Sequence, residues 1–121
     1  MEAARQTAKV EPTTVRAPKG ARLLEIDWSD GSTTYYRHRV LRGFCPCAIC
    51  QGHSGAIDFV DVPEGEGLEL VDIAEAGQYA LRLGWGDGHR TGIYSFGYLR
   101  DLASLYDLSE DEARAHTFPR P

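Results

Sequence analysis

Cys45, Cys47 and Cys50 fall within six residues, and no other cysteine occurs in the chain. Thiolates at this C-x-C-x2-C spacing can face a single ion, with Pro46 stiffening the knuckle between the first two. A fourth donor, an imidazole, would complete the tetrahedral set that zinc takes from soft and borderline ligands. Two histidines suit that position. His53 follows Cys50 by three residues and would close a compact local site. His89 lies far downstream at a Gly86-Asp87-Gly88 turn, which would leave its side chain exposed and aimable. Spacing leaves both open and slightly favours His53. His38, in a basic segment, and His116, near the C-terminus, are weaker candidates. The same donors would also take iron or an iron–sulfur cluster. Cys47-x-x-Cys50 alone has dithiol spacing, but it lacks the βαβ setting of a thioredoxin-like motif.

The elements that must position these residues follow from periodicity. Leu24, Ile26 and Trp28 alternate with acidic residues, the period of a half-buried strand. Asp30-Gly31 then marks a hairpin into Thr33–Tyr36, with Asp-Gly suited to a type I′ turn. The same pattern returns downstream: Tyr79, Leu81, Leu83 and Trp85 alternate, Asp87-Gly88 turns, and residues 91–94 lead away. Trp28, Asp30, Gly31 and Ser32 thus match Trp85, Asp87, Gly88 and His89 at an offset of 57. Tyr36, Leu41 and Arg42 match Tyr94, Leu99 and Arg100 at an offset of 58. The echo reads either as a degenerate duplication or as two unrelated Asp-Gly hairpins. Its second copy has a histidine where the first has Ser32. The two tryptophans read as core or cross-strand anchors, and core packing is the default for Tyr35, Tyr36, Tyr94 and Tyr98.

Phe96, Leu99, Ala103 and Tyr106 recur at helical spacing, which predicts a helix over about 96–106. Ser109 and Glu112 have the spacing of a capping box and predict a further short helical turn. Residues 60–67 read as an acidic loop and 68–73 as another strand. The predicted architecture is α+β: a small antiparallel sheet built from two Asp-Gly hairpins, one main helix and short helical turns. Residues 1–20 read as a disordered tail, 21–108 as the metal-binding domain, and 109–121 as the short helical turn and a frayed end.

Composition narrows the function classes. No stretch approaches the roughly 20 apolar residues of a membrane span, and the N-terminus lacks a signal-peptide core. An odd number of clustered cysteines argues against a secreted disulfide framework. The chain therefore reads as cytoplasmic. Its net charge of −5 opposes general nucleic-acid binding, which relies on neutralising phosphates. The basic residues are concentrated early, with eight Lys/Arg against five Asp/Glu in residues 1–42. Arg37, Arg39, Arg42 or Arg90 could offset the negative charge of a thiolate site. No nucleophile–base pair, phosphate loop or carboxylate dyad stands out, so the chain reads as a non-enzyme.

Leu41-Arg42-Gly43-Phe44-Cys45-Pro46-Cys47-Ala48-Ile49-Cys50, taken with Trp85-Gly86-Asp87-Gly88-His89-Arg90-Thr91-Gly92-Ile93-Tyr94 and Leu99-Arg100, resembles the N-terminal domain of gamma-butyrobetaine hydroxylase-like proteins. The similarity covers about residues 22–107. The family also occurs as small stand-alone bacterial proteins and was long catalogued as a domain of unknown function. The resemblance implies a small α+β domain with a structural zinc held by Cys45, Cys47, Cys50 and His89, which shifts the fourth ligand from His53 to His89. In the hydroxylases, oxygenase chemistry belongs to a separate, larger domain with non-haem iron and 2-oxoglutarate, whose facial triad this chain lacks. Related domains are attached to ATPases of the iron–sulfur carrier type, which implies an accessory role in cluster assembly as the alternative. The reading is an accessory or interaction module with a protein partner, a second copy of itself included.

Overall fold

The computed structural model describes residues 10–47, 56–62, 65, 68–90 and 92–119. Three strands come first among the described residues: β1 (Pro12–Arg16), β2 (Leu23–Trp28) and β3 (Thr33–Arg37). They form an antiparallel sheet in that order and run into a short helix, α1 (His38–Gly43). After β4 (Ile57–Asp58) the plan returns. The strands β5 (Leu70–Ala76), β6 (Ala80–Trp85) and β7 (Gly92–Ser95) form a second antiparallel sheet and lead into α2 (Phe96–Leu102). A 3₁₀ turn (Ala103–Asp107), α3 (Glu110–Arg114) and β8 (Thr117–Phe118) complete the described order, and β8 pairs with β4.

The fold is α+β, and both Asp-Gly hairpins form. They lie in separate three-stranded sheets, whereas the sequence suggested one shared sheet. The turn type also differs from the expected I′. Gly31 N–H donates to Trp28 O at 3.0 Å and Trp28 N–H to Ser32 O at 2.8 Å, while Gly31 alone in the loop has positive φ, at 90°. This is a three-residue loop closed by a glycine bulge, because Asp30 stays out of the left-handed region. The second hairpin repeats it: Gly88 N–H to Trp85 O and Trp85 N–H to His89 O are both 2.9 Å, with Gly88 at φ 90°.

Three further expectations need correction. Residues 12–16, read from sequence as part of a disordered tail, form β1 against β2, with Val15 opposite Ile26. The frayed end likewise contains β8, whose Phe118 is buried against Phe44 and Tyr98. Both pieces are too short to show a hydrophobic period and are held by what they pair with. The helix expected over about 96–106 is divided into α2 and the 3₁₀ turn, with Ser95 capping the start by accepting Tyr98 N–H at 3.1 Å. The capping box forms as its spacing predicts, from Ser109 and Glu112.

The echo in the sequence is an echo in three dimensions. Leu24 pairs with Tyr36 and Leu81 with Tyr94. Trp28 pairs with Pro12 and Trp85 with Leu70, and each outer strand then has an irregularity at the equivalent place. The two halves also hold one another reciprocally. Tyr36 OH donates to Leu99 O at 2.8 Å, and Tyr94 OH to Leu41 O at 2.6 Å. Arg100 reaches Asp30 at 3.0 Å, and Arg42 reaches Asp87 at 3.2 Å. Trp28 meets Phe96 edge-on with centroids 6.0 Å apart, and Trp85 meets His38 likewise at 5.5 Å. Each tryptophan packs on the first residue of the other half's helix. Leu24, Ile26, Leu41, Leu83 and Leu99 are fully buried between these contacts.

Each tyrosine hydroxyl donates a buried hydrogen bond to a helical carbonyl of the other half. Its removal in Tyr36→Phe or Tyr94→Phe should lower unfolding free energy by about 0.5–1.5 kcal/mol. Urea denaturation followed by tryptophan fluorescence checks this, and a loss confined to one of the two would refute the reciprocal reading.

Candidate metal centre

Cys45 follows α1 and is fully buried, and Cys47 sits half-buried one residue beyond Pro46. The strand β3 runs directly into α1, so the chain emerges from the helix against the second sheet. Two tyrosines fix it there. Tyr94 OH binds Leu41 O within α1, and Tyr98 OH donates to Phe44 O at 2.6 Å, immediately before Cys45. Burial pushes both phenols well above their ordinary value, so they stay protonated and keep donating.

His89 comes from the loop between β6 and β7, and its Nε2 lies 3.2 Å from Cys45 Sγ and 3.2 Å from Cys47 Sγ. The three donor atoms lie within 4.8 Å of one another. Zinc–sulfur and zinc–nitrogen bonds of about 2.3 and 2.0 Å imply a sulfur–nitrogen edge of about 3.5 Å in a tetrahedron. The observed spacing is slightly tighter, and a shift of a few tenths of an ångström would admit an ion. This group could hold a metal. Its identity is a separate matter, since thiolates and imidazole serve both zinc and iron. Cys50 and His53 lie outside the described residues.

The turn prepares the imidazole for this use. Asp87 Oδ1 accepts the backbone N–H of His89 at 2.9 Å, and its other oxygen pairs with Arg42. Burial, assisted by the Arg42 guanidinium and opposed by Asp87, holds His89 below its ordinary value. The neutral ring so favoured is the form that ligates a metal. Of the arginines considered from sequence, Arg42 stands beside the site. Arg39 pairs instead with Asp61 at 2.9 Å, and Arg37 lies over the Tyr106 ring at 4.8 Å. His38 is buried beneath Trp85, and His116 is exposed with Nδ1 against Glu112 O.

Comparison of the two halves shows what distinguishes the site from its counterpart. In the first half, Ser32 occupies the place of His89, and its Oγ accepts from Arg100 at 3.1 Å. There Trp28 Nε1 donates to Thr34 Oγ1 at 2.8 Å. In the second half Gly92 stands where Thr34 would be, and Trp85 Nε1 is buried with no partner among the described residues. The reason is steric: a Cβ on Gly92 would sit 2.8 Å from Cys45 Sγ. Sequence reasoning passed over Gly92 and the positioning role of Tyr94 and Tyr98. The one available signal for the glycine was its place opposite Thr34 in the echo.

The model of the N-terminal domain of gamma-butyrobetaine hydroxylase-like proteins matches residues 15–100, and the chain belongs to this family. A crystal structure of a protein of unknown function of the DUF971 family, from Acidithiobacillus ferrooxidans ATCC 23270, is 33% identical, with a TM-score of 0.59 over 77% of this chain and 92% of that one. A protein structure determined by NMR in solution is 29% identical, with a TM-score of 0.63 over 84% of this chain and 74% of its own. Another NMR structure is 31% identical, with a TM-score of 0.57 over 79% and 74% of the two chains. No curated protein matches. Among the described residues, no helix is long and apolar enough to cross a membrane.

Gly92→Ala should push Cys45 away from His89 and destabilise the fold by about 1–3 kcal/mol, the usual cost of overpacking. Urea titration checks the energy. Gly97→Ala, where an added Cβ meets nothing within 4 Å, is the control and should show no steric penalty.

Proposed function

We propose that the chain is a metal-organised accessory module, in which Cys45, Cys47, Cys50 and His89 hold one structural zinc ion and the assembled domain docks on a protein partner. The observation that supports it most is the convergence of Cys45 and Cys47 on His89 Nε2, each at 3.2 Å, from opposite halves of the repeat. Three thiolates and one imidazole close the coordination sphere, leaving no position for water or substrate. Such an ion works as a staple. It ties the segment after α1 to the tip of the second hairpin, where the polypeptide connection is long and a crosslink removes substantial unfolded-state entropy. The net charge of −1 on a Cys3His zinc centre would be offset by Arg42, already paired to Asp87 beside it.

The family's hydroxylase name does not transfer an oxygenase reaction to this domain. The module reading assigns it the work of holding a surface in shape for a partner, with a second copy of the chain among the partners. The same donors would suit iron in a cluster-assembly accessory, and metal content separates the two.

Protein purified without metal supplementation should contain about one zinc per chain by elemental analysis. Iron with labile sulfide would move the assignment to an iron–sulfur accessory, and reduced protein without metal would end both readings. His89→Ala should lose metal at chelator concentrations that leave wild type and His53→Ala loaded, and the reverse order would identify a local site through His53. Proteins captured from lysate by the wild-type chain should be lost with His89→Ala.

A further inference from the structure

Trp85 carries a buried donor that the second half leaves unused. Its side chain is 1% exposed, and Nε1 has no partner among the described residues. An indole N–H can only donate, and leaving one unpaired in a protein interior is expensive. An orphan of this kind calls for a physical explanation.

The first half shows where such an indole points. The two tryptophans are held alike. Each closes its turn with the same pair of backbone hydrogen bonds and meets the other half's helix edge-on at 80°. Trp28 Nε1 donates to Thr34 Oγ1 at 2.8 Å, and that hydroxyl donates onward to Tyr36 Oη at 2.9 Å. Thr34 lies opposite Ile26, and Gly92 lies opposite Leu83 at the matching register. The glycine supplies no acceptor, but a sulfur stands where its side chain would go. A Cβ there would lie 2.8 Å from Cys45 Sγ and 3.1 Å from Tyr94 Cε1. Cys45 also stands to Tyr94 as Thr34 stands to Tyr36. Burial, and after it the Cys45 sulfur, pushes the Tyr94 phenol up, with a side-chain hydrogen bond joining the two. Cys45 Sγ thus takes the place of Thr34 Oγ1, between indole and phenol.

We propose that Trp85 is a positioning residue of the metal centre, its indole N–H donating to the Cys45 thiolate once an ion is held. This deepens the reading of Cys45, Cys47, Cys50 and His89 as metal ligands and rests on it. On ligation the Cys45 thiol gives its proton to solvent, and the sulfur becomes a charged acceptor away from water. Tyr94 commits its proton to Leu41 O at 2.6 Å, so of the two flanking side chains the indole has the hydrogen to give. A donor on a ligating atom fixes its direction and tunes its charge. The ion in turn gives the stranded N–H its acceptor.

Cadmium-113 is the probe, bound by the full chain in place of zinc. The chain has two tryptophans and hence two indole N–H signals, with Trp28 as the internal reference. Loading should displace the Trp85 signal and leave that of Trp28 in place. The Trp85 indole proton should also couple to the cadmium through the hydrogen-bonded sulfur. Trp85→Phe and Trp28→Phe assign the signals, and each removes a fully buried indole. In chelator competition Trp85→Phe should hold cadmium about tenfold more weakly than wild type, the usual effect of losing a partner of a metal ligand. Trp28→Phe should match wild type. A loaded chain whose cadmium shift reports three thiolates, but whose Trp85 proton shows no coupling, overturns this proposal alone. Equal losses in the two variants do the same. A chain that takes up no cadmium overturns it together with the metal reading. The coupling is read in the wild-type chain, so it decides the matter even where a variant fails to fold.

Discussion

The two halves of this domain are joined by an exchange of buried hydrogen bonds, Tyr36 to Leu99 and Tyr94 to Leu41. Each phenol leaves its own sheet and satisfies a carbonyl in the other half's helix. Separating the halves would break both of these bonds, so each sheet supports the other. The edge-on packing of each tryptophan on the opposite helix and the crossing arginine–aspartate pairs follow the same exchange. Of these, the tyrosines and tryptophans do most of the work. The Arg100–Asp30 pair is partly exposed and screened by solvent.

The candidate metal centre is one end of this arrangement altered. In both halves an aspartate in the turn receives a backbone N–H two residues on and an arginine from the other half. Where the first half has Ser32 and Thr34, the second has His89 and Gly92. The histidine adds a nitrogen that could take a metal, and the glycine clears the space that Cys45 Sγ occupies. The cost is visible in Trp85, whose indole N–H has no partner among the described residues, whereas that of Trp28 donates to Thr34. The same half-by-half comparison isolates His38, polar where its counterpart Phe96 is apolar.

Much of the fold was legible. Alternation in Leu24–Trp28 and Leu81–Trp85 located the hairpin strands, and Ser109 with Glu112 located α3, because each depends on residues adjacent along the chain. The elements missed were short ones. The strand β1 and the pair β4–β8 carry too few residues to show a period, and α1 has only six. They exist because a neighbouring surface receives them: Val15 against Ile26, and Phe118 against Phe44. In the site, the cysteine spacing was plain, but local spacing favoured His53 because distance along the chain says nothing of distance in space. The family resemblance redirected that choice to His89.

By itself the sequence determined the residue types: three clustered thiolates, two Asp-Gly turns, and an echo that placed a histidine where its counterpart has a serine. Those properties are carried by neighbouring residues and need no fold to be read. The tertiary structure decided the distances at which Cys45 and Cys47 meet His89, and it alone decided that the two sheets are separate yet interlocked and that Gly92 is small because a sulfur lies beside it. These depend on the packing of residues some forty or more positions apart. Such contacts are set by the burial of tyrosine, tryptophan and leucine across the two halves, and no local pattern records them.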